Sequence, residues 1–341
     1  MKKKIPSILF GLVLFAYTLW AALDTFVIVR VLTPDSDQAA SAAVSVTQTA
    51  QTAASTATAA PLSSLIAEEE NVSDAETIPA SAEATATAET VASADSTVIS
   101  TDTEYHDGSI DITITEMRVS DTTIYVADVQ IADISLLKTA FAGNTYARNL
   151  TETTSKQASS VGAILAINGD YYGAQEKGYV LRNGVLYRSS AKRNTDALVI
   201  GMDGHFSIVS ESSTSAETLQ SENAWQVLTF GPALVVDGEV SVSTNEEVGR
   251  SMQSNPRTAI GEIDAGHYLL VVADGRTSQS SGLSLQELAE VMQSLGAKVA
   301  YNLDGGGSST MVFQGRVVNQ PTTTGRSIQE RSVSDIVYIG Y

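Results

Sequence analysis

The chain contains no cysteine, only three histidines in 341 residues, and 20 Lys and Arg against 39 Asp and Glu. The first absence excludes disulfides, thiolate nucleophiles, iron–sulfur clusters and cysteine-ligated zinc. With His106, His205 and His267 as the whole imidazole complement, a His-rich metal site is all but excluded and a Ser-His-Asp triad has few candidates. None of the three has a spaced partner for metal binding. A net charge of -19 argues against a nucleic-acid partner, because such proteins need a basic footprint to displace counterions. Asp is left as the obvious acid, base or nucleophile.

Composition divides what is present into three regions. Lys2-Lys3-Lys4 precedes the run Ile5 to Leu23, apolar apart from Pro6, Ser7 and Thr18 and close to the roughly 20 residues a membrane-crossing helix needs. Tyr17 and Trp20 sit near its far end, where interfacial rings are favoured. The basic cluster predicts a cytoplasmic N-terminus and export of everything after the run. A cleaved signal peptide competes with this reading, but its apolar stretch is usually about 7 to 15 residues long and ends in small residues. Here Ala21-Ala22 makes a poor cleavage site and apolar residues resume from Phe26 to Leu32. Residues 1–33 therefore read as an uncleaved, single-pass transmembrane signal anchor that leaves the C-terminal part of the chain extracellular.

Residues 34–104 are dominated by Ala, Thr, Ser and Glu, with twelve acidic residues between Asp35 and Glu104 and no Lys or Arg. Such a composition cannot bury enough apolar surface to offset chain entropy, and it reads as an acidic, low-complexity linker. Residues 105–341 form the folded part. Period-2 alternation marks strands at 110–115 and 123–131. Further strands are expected at 163–167, at 179–181 with 185–187 across Asn183-Gly184, at 197–200 with 206–209 across Asp203-Gly204, and at 234–236 with Val240 across Asp237-Gly238. Helices are fewer. Ser284-Leu285-Gln286-Glu287 matches a capping box, Leu285, Leu288, Ala289, Met292 and Leu295 follow at helical spacing, and Gly296 is a suitable stop. A second amphipathic segment is expected over 149–159. The fold class is α+β, or mixed α/β: a strand-rich single domain with few helices.

Three apolar runs stop abruptly at Asp or Asn beside Gly: Ala163–Ile167 before Asn168-Gly169-Asp170, Tyr268–Ala273 before Asp274-Gly275-Arg276, and Lys298–Leu303 before Asp304. If the last two strands are parallel, both aspartates emerge at one sheet edge, where ligands of open α/β sheets bind. Gly305-Gly306-Gly307 permits positive φ and close backbone approach, so successive amides can converge on an anion, and Ser308, Ser309 and Thr310 add hydroxyl donors. No Gly-Lys-Ser/Thr follows, so this is not a Walker loop. Pro256 fixes the backbone before Arg257, a guanidinium suited to bidentate contact with phosphate or carboxylate; Arg276 has the same chemistry. Tyr171 and Tyr172 have rings that stack on sugar faces or pack in a core.

The series Ala-Ile-Asn-Gly-Asp-Tyr-Tyr (166–172), Asn-Pro-Arg-Thr-Ala-Ile-Gly (255–261), Val-Ala-Asp-Gly-Arg (272–276), Leu-Ser-Leu-Gln-Glu-Leu-Ala (283–289) and Asn-Leu-Asp-Gly-Gly-Gly-Ser-Ser-Thr-Met (302–311) resembles the phosphodiester glycosidase family over roughly residues 123–341. That family has lysosomal and bacterial exopolysaccharide-associated members. The resemblance implies a hydrolase that splits a glycosyl bond to a phosphodiester, releasing a sugar and leaving a phosphomonoester; it does not fix the substrate, and for an exported chain a sugar-phosphate or polysaccharide of the cell wall or surface is expected. In that setting Asp304 and Asp170 are the expected acid/base or nucleophile, with Asp274 as a third carboxylate. Arg257, Arg276, Gly305, Gly306, Gly307, Ser308 and Ser309 would hold the phosphate, with Asn168 and Gly169 beside them orienting substrate or carboxylate. No cofactor is required by this chemistry; Ca²⁺ held by Asp and backbone carbonyls is compatible with it, although no EF-hand pattern is present. The alternatives are a noncatalytic wall- or exopolysaccharide-binding domain and a structural surface protein whose Asp-Gly pairs only close hairpins.

Overall fold

A computed structural model describes residues 4–34, 98–242 and 254–341. Most of the acidic linker lies outside these residues. Four helices are described: α1 (Lys4–Phe26), α2 (Thr154–Val161), α3 (Ala216–Ser221) and α4 (Leu285–Ser294). Helix α1 coincides with the N-terminal apolar run, and its side chains are described continuously from Leu12 to Asp24. Among the described residues, no helix is long and apolar enough to cross a membrane.

Strands are numbered β1–β21 along the chain. The large sheet holds nine, in the spatial order β15 (Glu239–Val240), β14 (Ala233–Val236), β18 (Val299–Asn302), β16 (Arg257–Asp264), β17 (His267–Ala273), β5 (Thr122–Ile131), β4 (Ile110–Val119), β3 (Glu104–His106) and β2 (Ile99–Ser100). A second sheet is ordered β20 (Arg316–Val317), β19 (Met311–Phe313), β8 (Leu165–Asn168), β21 (Asp335–Ile339), β6 (Leu137–Phe141). A third is ordered β10 (Val185–Arg188), β9 (Val180–Arg182), β13 (Ala224–Leu228), β11 (Asp196–Gly201), β12 (Phe206–Ser210). A short pair joins β1 (Arg30–Val31) to β7 (Ala147–Arg148). The sheet begins at Ile99, a few residues ahead of the expected start at Tyr105.

Alternation in β4 and β5 does what its period dictates. Ile110, Ile112 and Ile114 turn inward and meet Leu270, Ile260 and Tyr301 of the large sheet, Leu165, Ile167 and Val337 of the second, and Leu198 and Leu228 of the third. One core is thus shared by three sheets, and each fully buried aliphatic side chain contributes roughly 1.5–3 kcal/mol. The central strands β16, β17 and β18 do not alternate, because α4 covers their other face: Leu285, Leu288, Ala289 and Met292 pack on Ala259, Leu269, Val271 and Ala300. The capping box is formed, with Ser284 Oγ accepting from the Glu287 amide and the Glu287 carboxylate accepting from the Ser284 amide.

Every neighbouring pair among the described strands is antiparallel, and the fold is α+β. The expected hairpins form. Asn183 and Gly184 (φ 50° and 77°), and Asp237 and Gly238 (φ 52° and 79°), both turn through the left-handed region that two-residue hairpin loops require. Helix α2 starts later than 149, since Asn149 is left-handed (φ 58°) and Thr153 supplies the N-cap to the Lys156 amide.

Candidate active site

Strands β17 and β18 run in the same direction because β16 lies antiparallel between them, with Arg257 opposite Ala273 and Ala259 opposite Asn302. The ends of β17 and β18 and the start of β16 therefore share one edge. Asp274, Asp304 and Arg257 emerge there together. The second sheet delivers Asn168-Gly169-Asp170 to the same place, where the Asp304 amide donates to Gly169 O (3.2 Å). A cleft of about 960 Å³ opens at this edge, lined by Arg257, Arg276, Asn302, Asp304, Gly305, Gly306, Thr323 and Arg331 together with Asn194, Thr195, Asp196 and Phe230.

Asp304 is the more deeply set of the two carboxylates that line the cleft, Asp196 being exposed. Its burial pushes its pKa above the ordinary aspartate value, while the Ser308 hydroxyl and the Arg331 guanidinium pull it back down. Arg331 Nη2 lies 3.2 Å from Asp304 Oδ2 and donates to Ser308 Oγ (2.6 Å), as does Nε (2.9 Å). Arg276, itself left-handed at φ 62°, donates to Thr323 O (2.7 Å) and Asn255 Oδ1 (3.0 Å). Arg257 Nε donates to Leu283 O (2.8 Å). Three fixed guanidiniums thus line the cleft against two carboxylates, Asp196 and Asp304, a charge balance that favours an anion.

The glycine loop works differently from an amide cradle. The amides of Ser308 and Ser309 donate within the loop, to Gly305 O and Gly306 O, and that of Gly306 donates to Pro256 O. The guanidiniums of Arg257, Arg276 and Arg331 line the cleft beside Gly305 and Gly306. Glycine is required for room: at Gly306 (φ 64°) a Cβ would lie 2.9 Å from Arg276 Nη2, and at Gly307 it would lie 2.3 Å from Thr323 Oγ1. Gly305 and Gly306 line the cleft, whereas Gly307, Ser308 and Ser309 are buried and act through what they support.

Asp170 does not reach the cleft wall. Its wholly buried carboxylate lies 2.8 Å from Arg182 Nη2 and accepts from the amides of Thr229 (2.7 Å) and Tyr172 (3.2 Å). The same guanidinium nitrogen holds Asp335 (3.2 Å). Asp335 has its pKa raised, first by burial and then by the Asp170 charge. This is a structural ion cluster between the second and third sheets, and Gly169 is a glycine because a Cβ there would lie 2.5 Å from the Asp335 carboxylate. Asp274 is also committed: Oδ1 accepts from Asn319 Nδ2 (3.0 Å) and the Gln320 amide (2.9 Å), which pins the segment behind the glycine loop. Burial raises its pKa.

Asn168 holds the backbone beside Asp304 and is not among the residues that line the cleft. Fully buried, it donates to Asp304 O (2.6 Å) while its Oδ1 accepts from Thr258 Oγ1 (2.8 Å) and the Thr310 amide (3.2 Å). Tyr172 packs in a ring cluster with Phe141 and Tyr146; Tyr171 is exposed. The histidines pair with Asp111, Glu262 and Asp128, away from the cleft. Among the described residues, the group of His, Asp and Glu atoms close enough to share a metal ion is His205, Glu262 and Asp264, at the far end of β16 from Arg257. Sequence reasoning did not single out Arg331, Asp196 or Phe230. Arg331 sits in a polar tail with no periodicity, and only folding brings it 27 positions back to Asp304.

Residues 161–340 match the profile of the phosphodiester glycosidase family. The chain belongs to that family. It is similar to an SPbeta prophage-derived protein of Bacillus subtilis, YomE (28% identity over 195 residues, 56% of this chain and 30% of that protein). It is also similar to mouse N-acetylglucosamine-1-phosphodiester alpha-N-acetylglucosaminidase (29% over 213 residues, 58% of this chain and 40% of that protein). The chain thus spans well under half the length of these relatives. In fold it resembles the zebrafish N-acetylglucosamine-1-phosphodiester alpha-N-acetylglucosaminidase catalytic domain, auto-inhibited by its pro-peptide, with TM-score 0.55 and 20% identity over 69% of this chain and 85% of that one. The family match covers Asp304, Arg257, Arg276 and Arg331, and takes in the cleft wall that the large sheet provides.

Two measurements test this geometry. Inorganic phosphate is expected to raise the unfolding midpoint, by an amount equivalent to about 2.7 kcal/mol at a hundred times its Kd, and Arg276→Ala with Arg331→Ala is expected to abolish the shift. Arg182→Met, which strands two buried carboxylates, is expected to cost about 3–5 kcal/mol in denaturant unfolding. Asp335 has a folded pKa above its unfolded one, so its contribution to stability is complete below about pH 4 and is lost as pH rises through the folded value. Asp335→Asn is accordingly expected to flatten the decline of the melting temperature with rising pH.

Proposed function

We propose that this chain is an extracytoplasmic hydrolase that cleaves sugar-1-phosphodiesters in a cell-surface or exopolysaccharide-type polymer. The observation that carries the reading is one cleft holding a buried carboxylate, Asp304, beside three guanidiniums. In the reaction, ionised Asp304 attacks the anomeric carbon or takes a proton from water that does so. The bond from that carbon to the phosphate oxygen breaks, its electron pair stays on the oxygen, and a phosphomonoester departs; on the water route the sugar takes the hydroxyl and Asp304 the proton, and on the direct route water then cleaves the glycosyl ester, which frees the sugar and restores the carboxylate. The leaving group gains negative charge as it separates, and Arg257, Arg276 and Arg331 stabilise that charge in the transition state more than in the ground state. A sugar phosphate departs readily without an added proton, so one carboxylate and a cationic wall suffice.

The membrane setting rests on sequence: Lys2–Lys4 before the apolar run favours a cytoplasmic start and an exported domain. The acidic linker, rich in Ala, Thr and Ser, suits a single-pass protein working outside the cell.

Hydrolysis of a panel of α- and β-linked sugar-1-phosphodiesters, with free sugar as the readout, tests the reaction. Asp304→Asn is expected to lower kcat about 10²–10⁴-fold. Asp274→Asn keeps the acceptor oxygen for Asn319 and Gln320 and is expected to stay within a few-fold of the parent. If no diester is turned over while polymer binding persists, the noncatalytic binding reading stands instead. The pH profile carries a sign. Because the ionised carboxylate is the active form and burial raises its pKa, kcat/KM is expected to rise with pH above the ordinary aspartate range. Arg331 lowers that pKa, so Arg331→Ala is expected to move the acidic limb to higher pH.

A further inference from the structure

The segment that follows α1 does not leave the folded domain. Arg30 and Val31 pair antiparallel with Arg148 and Ala147, and Leu32 N donates to Tyr146 O (3.0 Å). Asn149 Nδ2 donates to Ile28 O (3.0 Å) and reaches Asp24 O (3.4 Å). Leu32 is half-buried and packs against the cluster of Tyr146, Tyr172 and Val180. Among the described strands, β7 has β1 as its sole partner, so without this segment its edge is left open, a feature folded proteins cover. At the other end of the acidic region, β2 pairs with β3, and Gln314 Nε2 donates to Thr101 O (2.7 Å).

We infer that residues 28–32 are a built-in docking strand for the edge formed by residues 146–149, which holds the domain against the C-terminal end of α1. None of the docking residues lines the cleft, so the arrangement fixes where the domain sits and leaves the cleft open. The inference is independent of the reaction.

The cysteine-free sequence makes the test clean. Residues directly opposite in an antiparallel pair have Cα atoms about 4.5–5.5 Å apart, within the span of a disulfide. The full-length chain in detergent, carrying Arg30→Cys, Arg148→Cys and a site-specific protease sequence inserted after Ala60, is oxidised, cleaved and run without reductant. The two pieces are expected to migrate as one species, and reductant is expected to separate them. The pair Arg30→Cys with Glu217→Cys, whose second position is on exposed α3, is expected to crosslink at least about 10-fold less. Adding Leu32→Asp to the first pair is expected to cut its yield severalfold while the uncleaved chain still unfolds in one cooperative transition. Equal yields from the two pairs, or no effect of Leu32→Asp with the domain intact, would overturn the inference.

Discussion

A single buried carboxamide holds the site together. Asn168 ends a strand of the second sheet, yet it donates to the carbonyl of Asp304 and accepts from Thr258 of β16 and from the amide of Thr310. One side chain therefore clasps both ends of the glycine loop and the strand that carries Arg257. A hydrogen bond of this kind contributes only about 0.5–1.5 kcal/mol net, but leaving its buried partners unsatisfied costs more. Removing the amide would strand several groups at once, in the place where a displacement of an ångström matters to chemistry.

Around that clasp the charges sort into two layers. Beneath lies the Asp170–Arg182–Asp335 cluster, sealed from solvent and concerned with joining sheets. Above it lie Asp304 and the guanidiniums of Arg257, Arg276 and Arg331, which face the cleft. The two layers share residue types and differ in access. A buried ion cluster is weak evidence for stability, because desolvation can outweigh its attraction, whereas the fixed donors along the cleft are what an anion site needs.

Much of this was legible in the sequence, for identifiable reasons. Strands β4 and β5 alternate, the Asn183-Gly184 and Asp237-Gly238 turns need left-handed residues, and Ser284 with Glu287 caps a helix; each is a local rule acting on local residues. The placement of Asp274 and Asp304 at one sheet edge was expected if their strands ran the same way, and β17 and β18 do. What was not legible depended on contacts distant in sequence. Asp170 reads like Asp304 in its Asn-Gly-Asp setting, and only the approach of Arg182 and Asp335 shows that its carboxylate is spoken for. Asp274 likewise reveals its duty only when Asn319 arrives. The glycine triplet permitted an amide cradle, but the same freedom served close packing against Thr323 and Arg276. Arg331 carries no local signal at all.

Strand β16 has a consequence for how such a chain can vary. Side chains alternate across a strand, so gaining or losing one residue between Arg257 and Asp264 would exchange the face that meets the shared core for the face that meets α4. It would also slide Arg257 out of line with the ends of β17 and β18. Length change is tolerated at hairpin turns and surface loops, but here eight residues act as a ruler between the cleft at one end and the His205–Glu262 contact at the other, and a ruler that gains a division no longer measures the same distance.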